Sequence, residues 1–189
     1  MTTFFTSDTH FGDVRVLRID KRPFKSVAEH DAALVANWNA TVGADDTVWH
    51  LGDFALGPDD AAVSALLAGL NGTKHLIVGN NDGPGTLKAP GWASVAHYAE
   101  IEEGGTRLIL CHYAFRTWNA MGRGTLDLHG HSHGLLKTAP KQYDVGVDVW
   151  EFRPVTLDDI RARRRVTRIK RFEASDPGPA DGGDAGLDR

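Results

Sequence analysis

Apolar residues along the chain fall into short runs that each stop abruptly at residues able to bind a metal. Thr3 to Ser7 is small, β-branched and aromatic, which predicts a buried strand, and it ends at Asp8-Thr9-His10-Phe11-Gly12-Asp13. Thr47 to Leu51 predicts a second strand, stopping at Gly52-Asp53-Phe54. His75 to Val78 predicts a third, ending in Gly79-Asn80-Asn81-Asp82-Gly83. Val95 to Ile101 and Thr106 to Leu110 read as the arms of a hairpin across Glu103-Gly104-Gly105, and the second arm runs into Cys111-His112. Leu126 to His129 leads into Gly130-His131-Ser132-His133-Gly134, and Gln142 to Val149 alternates as a further strand.

Helical spacing fills several of the intervals. Ser26 to Val42 has Ser26 as N-cap, Glu29 completing a capping box, and Val27, Leu34, Val35 and Trp38 on one face, with Gly43 as its stop. Pro58 to Leu70 predicts a second helix with Pro58 in the first turn and Asp59 and Asp60 behind it. Thr156 and Asp159 form a capping box for a last helix ending near Arg164. His30, inside the first helix, reads as a surface residue, and His50 as a structural one. Gly83 to Trp92 and Tyr113 to Gly124 read as loops, the latter carrying Arg116, Trp118 and Arg123.

Composition narrows the class. With 189 residues, 41% hydrophobic and 24% charged, the chain suits one domain with a sizeable core. We assign it to residues 1–172, and the Pro/Gly/Asp/Ala-rich 173–189 to a disordered tail. A net charge of −4 gives no overall pull toward nucleic acid. The basic run Arg161, Arg163, Arg164, Arg165, Arg168, Lys170 and Arg171 reads as a solvated face before it reads as a nucleic-acid contact. The one cysteine, Cys111, excludes an internal disulfide and reads as a small buried apolar residue. No signal-peptide pattern opens the chain and no apolar run has bilayer length, so the expectation is a cytoplasmic protein without a membrane partner.

The candidate chemistry lies at the strand ends. Asp8, His10, Asp53, Asn80, His112, His131 and His133 each follow a predicted strand or sit in the adjoining loop, where open α/β sheets gather their ligands. Asp8 and His10 are two apart, as are His131 and His133, and residues so spaced in extended chain face the same way. Carboxylate and imidazole without thiolate suit Mn²⁺, Fe or Zn²⁺. With the amide oxygen of Asn80 the ligands number seven, more than one tetrahedral ion needs. With Asp53 bridging, they can hold two ions about 3.5–4 Å apart.

In their order, Asp8-x-His10, Gly52-Asp53, Gly79-Asn80-Asn81-Asp82, His112 and Gly130-His131-x-His133 closely resemble the signature blocks of the calcineurin-like metallophosphoesterase superfamily. The later Val145-Gly146-Val147-Asp148 run is similar to the short bacterial and phage members. The resemblance implies an α/β fold, a four-layer α-β-β-α sandwich of two mixed sheets flanked by helices. It allots Asp8, His10 and His133 to one divalent ion and Asn80, His112 and His131 to the other, with Asp53 shared. It implies a dinuclear metal-dependent phosphoesterase, with Mn ahead of Fe or Zn, in which a metal-bridging hydroxide attacks phosphorus in line. Asn81 and Asp82 join Asp53 as catalytic candidates, while Asp13, Arg116 and Arg123 are candidate contacts to a small-molecule phosphoester.

One departure bears on the substrate. The family block usually reads Gly-Asn-His-Asp or Gly-Asn-His-Glu, and here Asn81 replaces the histidine. An amide cannot deliver a proton near neutrality, and general acid catalysis is worth about 10²–10⁴-fold. Phosphodiester or pyrophosphate bonds are therefore favoured over monoesters. Asp13 also stands where many short members carry histidine. The alternatives are a catalytically weak metal-bound scaffold that binds a protein partner, and a nuclease.

Overall fold

Phe4 and Phe5 are neighbours and both apolar, a pattern buried only by a strand covered on both faces. In the computed structural model, which describes residues 1–137 and 139–163, they lie on β1 (Thr3–Thr6), with Phe4 in one core and Phe5 in the other. The basic run from Arg164 onward and the 173–189 tail lie outside the described residues. Parallel neighbours β2 (Thr47–His50), β3 (Thr73–Ile77) and β4 (Trp92–Ala96) extend the first sheet on one side of β1. The antiparallel β9 (Val155–Thr156) pairs on its other side.

Between these strands run α1 (Val16–Ile19), α2 (Val27–Thr41), α3 (Asp60–Gly69) and the short α4 (Pro84–Lys88). Leu34, Trp38 and Val42 of the α2 segment and Val63 and Leu67 of α3 pack with Phe4 and Val48 on the outer face of this sheet. The second sheet is β5 (Tyr98–Glu103), β6 (Thr106–Cys111), β7 (Leu126–His129) and β8 (Gln142–Asp144) in that order. Its first pair is antiparallel and the others parallel. Leu108, Leu110 and Leu128 meet Phe5 and Ile77 between the sheets, and α5 (Leu157–Ala162) adds Leu157 and Ile160. The two mixed sheets with helices are the expected α/β sandwich. Among the described residues no helix is long and apolar enough to cross a membrane.

Several boundaries differ from the sequence reading. Val95 to Ile101 is not one hairpin arm: β4 closes the first sheet, and β5 opens the second by pairing with β6. At His97 the phase of alternation slips, from Trp92, Ser94 and Ala96 as the less exposed positions to Ala99 and Ile101. A one-residue slip turns every following side chain over. Asp59, not Pro58, starts the second helix, its carboxylate accepting from Ala62 N at 2.8 Å. The Gly83 to Trp92 loop contains α4, with Pro84 at its first turn. Val147–Val149 is a 3₁₀ turn, so the last strand of the second sheet is shorter than its alternation suggested. In α2 Ser26 caps Glu29 N, but the Glu29 carboxylate reaches back to Lys25 N at 2.9 Å rather than to Ser26. The box at Thr156 and Asp159 has both halves.

The parallel strands all end at one rim. Ser7, just past β1, bridges Gly146, just past β8, and Val147 N donates to Ser7 O at 3.1 Å. Phe11 bridges Ala55 in the same way. The loops after β1, β2, β6 and β7 therefore meet above the seam between the sheets. Phe5→Ala, which empties the centre of that seam, lowers unfolding free energy by about 3–5 kcal/mol in urea titrations. Loss of the last helix cap in Thr156→Ala lowers it by about 1 kcal/mol.

Candidate metal centre

The loops at this rim are held in backbone conformations that their sequence does not favour. Asp8 (φ 57°), His10 (φ 49°), Asp53 (φ 57°), His131 (φ 65°) and His133 (φ 46°) are all left-handed. Such residues cost of order 1–3 kcal/mol each and persist where surrounding bonds over-determine them. The bonds are present. Asp8 N donates to Gly52 O at 2.9 Å and His10 N to Asp53 O at 3.0 Å, so the β1 and β2 loops are laced together. His131 N donates to both carboxylate oxygens of Asp8 at 3.0 Å, which ties in the β7 loop. Gly52 and Gly79 permit the closest approach: a Cβ on Gly52 would strike His112, and one on Gly79 would strike the Asp53 carboxylate.

Two clusters result. Ligand-grade atoms of Asp8, His10 and His133 lie within 4.8 Å of one another, and those of Asp53, His112 and His131 do the same. Asp53 links them. Its Oδ2 lies 3.5 Å from His10 Nε2, while its Oδ1 lies 3.6 Å from His112 Nε2. His112 donates Nδ1–H to Leu51 O at 2.8 Å, which turns the Nε2 lone pair toward Asn80 Oδ1 at 3.1 Å. Two acceptors face to face are relieved by a cation between them. Both ring nitrogens of His10 are buried without a hydrogen-bond partner, a costly condition that ligation of Nε2 would remove. The donor set therefore fits divalent ions in both clusters. Cys111 is buried and belongs to neither.

Carboxylates that face neither cluster hold the loops in place. Asp82 accepts from Asp53 N at 2.9 Å, Gly79 N at 2.8 Å and Phe54 N at 2.8 Å. Asp144 accepts from Ser132 Oγ at 3.0 Å, Gly134 N at 2.8 Å and Gly146 N at 2.7 Å, bracing the His131–His133 loop. Asp148 Oδ2 accepts from His133 Nδ1 at 2.8 Å, which presents the opposite ring nitrogen to Asp8. Carboxylate–imidazole pairs of this kind fix the tautomer of a metal ligand.

The expected site residues divide accordingly. Asp8, His10, Asp53, Asn80, His112, His131 and His133 come together. Asn81 donates its backbone N–H to Asp53 Oδ1 at 2.8 Å and its amide to Asp53 Oδ2 at 2.7 Å, so it faces the shared carboxylate rather than the outside. Asp82, expected among the catalytic residues, accepts from three backbone N–H groups, that of Asp53 among them. Asp13 is not open to a substrate either. Arg15 grips both of its oxygens at 2.8–3.2 Å, and its Oδ2 is 3.5 Å from His10 Nδ1. Arg123 lies on the 3₁₀ turn before β7, where Lys141 Nζ reaches Met121 O, at the far end of that strand from the clusters. Arg116 is exposed and follows Phe115, whose N–H bonds Asp127 on the outer face of the second sheet. Neither arginine touches either cluster.

The sequence reading missed others. Tyr113 is exposed at the rim, its ring 4.8 Å from His131 and 5.0 Å from His112. His30 is fully buried, not on the surface, bonded to Arg22 and Asp31. Asp148 falls within the Val145-Gly146-Val147-Asp148 run, but its partners, His133 and Arg22, are remote in sequence and no spacing marks them.

Burial pushes the Asp8 carboxyl up to about 7, with His133 pulling the other way. Burial also opposes charge on His133, but the Asp148 hydrogen bond and the carboxylates of Asp8, Asp148 and Asp20 raise it to about 9. His10 is driven down to about 4 by burial and then by Arg22. Asp53 stays below its ordinary value, because the Asn81 hydrogen bonds, His112 and His10 outweigh its burial. Without a cation, His133 thus holds a proton at neutral pH. A raised histidine stabilises the fold below its unfolded value near 6.5, and that stability is lost as pH climbs through about 9. Thermal melts in chelator should therefore show a falling Tm between pH 7 and 8.5. Ligation displaces this proton, so Mn²⁺ binding at pH 7 releases it to buffer, and the Tm gain from Mn²⁺ grows with pH. A Tm in chelator that rises over this range contradicts the assignment.

No protein-family model matches the chain. It is similar to the gene 66 protein of Mycobacterium phage L5, 31% identical over an alignment of 191 positions, gaps included, that takes in 84% of this chain and 91% of that protein. It is similar also to the uncharacterized protein MJ1445 of Methanocaldococcus jannaschii, 31% identical over 165 residues, 83% of this chain and 88% of that one. Among solved structures, a protein of unknown function from Aquifex aeolicus, AQ665, shares the fold with a TM-score of 0.67 and 22% identity, covering 85% of this chain and 97% of that one. At this identity and coverage the chain belongs to one family with the phage gene 66 protein and MJ1445, and the five blocks that resemble the metallophosphoesterase signature converge in space as they follow in sequence.

Proposed function

We propose that the chain is a dinuclear metal-dependent phosphohydrolase acting on phosphodiester or pyrophosphate bonds. The observation that carries this reading is the division of Asp53, with one oxygen toward each cluster. A pair of divalent ions held there would supply the positive charge that acidifies a water and binds phosphate oxygens. Imidazole, carboxylate and amide donors without thiolate suit Mn²⁺, Fe or Zn²⁺.

The chain's own residues do the rest. Asp8, His10 and His133 with Asp53 form one half of the cradle; Asn80, His112 and His131 with the same carboxylate form the other. Asn81 keeps both oxygens of Asp53 aligned through two hydrogen bonds. No acid stands ready to protonate a departing oxygen from this loop, because Asn81 is an amide and Asp82 is spent on backbone N–H groups. A leaving group must therefore depart with its own charge. That requirement supports diesters of acidic alcohols, or pyrophosphates, over alkyl monoesters. Tyr113, exposed beside His131, offers an aromatic face to whatever is attached to the phosphate.

The test is hydrolysis of an aryl phosphodiester with added Mn²⁺. We expect turnover that Asp53→Ala reduces to background. Asn81→His should accelerate esters with poor leaving groups by about 10²-fold or more, and activated aryl esters far less. An absence of Asp53-dependent turnover in the wild type, with activity appearing only in Asn81→His, would instead favour a metal-loaded binding scaffold.

A further inference from the structure

Arg22 lies outside every signature block, yet its guanidinium is the most completely bonded group near the rim. All five of its N–H donors are used. Nε and Nη2 grip the two oxygens of Asp148 at 2.9 and 2.7 Å. The second Nη2 hydrogen reaches Asp8 O at 2.6 Å. Nη1 serves Thr9 O at 3.0 Å and His30 Nε2 at 2.8 Å. The side chain has no exposure, and Phe152 closes over it with its ring centroid 6.0 Å from the guanidinium carbon.

We propose that Arg22 is the positioning residue of the Asp8–His10–His133 cluster, an inference that rests on reading that cluster as an ion site. Asp8 and His10 are both left-handed, and Arg22 holds the carbonyls of Asp8 and Thr9 between them. Its other edge fixes Asp148, and Asp148 fixes the ring of His133. The chain of bonds continues into α2: His30 accepts from Arg22 and turns Nδ1 to Asp31 at 2.7 Å, while Asp31 takes Gly12 N at 3.0 Å. The loop from Asp8 to Gly12 is therefore pinned at three backbone atoms by one network, and all three members of the cluster hang from it. The Asp53–His112–His131 cluster has no bond to Arg22. Lysine cannot replace it, since an ammonium has the charge but neither the fork nor five donors.

The experiment compares Mn²⁺ binding by calorimetry, and paired-ion signals by electron paramagnetic resonance, in wild type, Arg22→Lys, Arg22→Ala and Leu34→Ala. Leu34 is buried on α2 against the outer core and controls for simple loosening of the helix. We expect the wild type to take two ions, and both Arg22 variants to weaken one binding step about 10–100-fold while the other shifts by less than about threefold. Added guanidinium should restore the lost step in Arg22→Ala, and Leu34→Ala should keep both steps. If Arg22→Ala does not fold, Arg22→Lys alone carries the test. Wild-type affinities in Arg22→Lys overturn the inference, as does loss of the same step in Leu34→Ala. A wild type that binds no Mn²⁺ overturns the ion-site reading itself, and this inference with it.

Discussion

Everything at the rim depends on one carboxylate having two neighbourhoods. Asp53 has His10 on one side and His112 on the other, so one carboxylate stands against both clusters. Its position is fixed from below by Asp82, which holds its backbone N–H, and from the side by Asn81, which donates to both oxygens. Burial alone would favour the neutral acid; the Asn81 donors and flanking imidazoles outweigh it and keep the group ionised. A cation between His10 and His112 would pair with that buried charge directly.

The fold bears the cost of that arrangement in backbone strain. Five residues of the two clusters adopt left-handed conformations, and each sits in a loop stitched to its neighbours by backbone bonds. Three further carboxylates, Asp82, Asp144 and Asp148, act at one remove: each spans two loops, and none has an oxygen directed at a cluster's centre. Arg22 completes the scheme by neutralising Asp148 and capping two carbonyls. Such groups contribute little to the burial of apolar surface. Their effect is to make a set of short, irregular loops behave as a rigid rim on two regular sheets.

The sequence revealed the strand ends and the ligand-grade residues because both depend on local pattern. A β run that stops at Asp or His is visible in a few residues, as at Thr6-Ser7-Asp8. The second tier was not visible, because it is built by contacts remote in sequence: Arg22 and Asp148 are 126 positions apart. His30 shares the buried face of Leu34 and Trp38, and its polarity hid that placement; Phe24 and Arg22 pack over it at the start of α2. Arg116 and Arg123 suggested themselves only by nearness in sequence, and the chain carries them to the outer face and the far end of the second sheet. The split at His97 was hidden because an apolar alternation with a slipped phase still looks like one strand.

Asn81 ties this geometry to its chemistry. Its amide and backbone N–H both donate to the shared carboxylate, and an amide is no proton donor to a leaving group near neutrality. The most direct test is a crystal structure of the Mn²⁺-loaded protein with anomalous difference maps. The account predicts two peaks about 3.5–4 Å apart, one against each oxygen of Asp53. A single peak, or peaks that Asp53 does not touch, would contradict it.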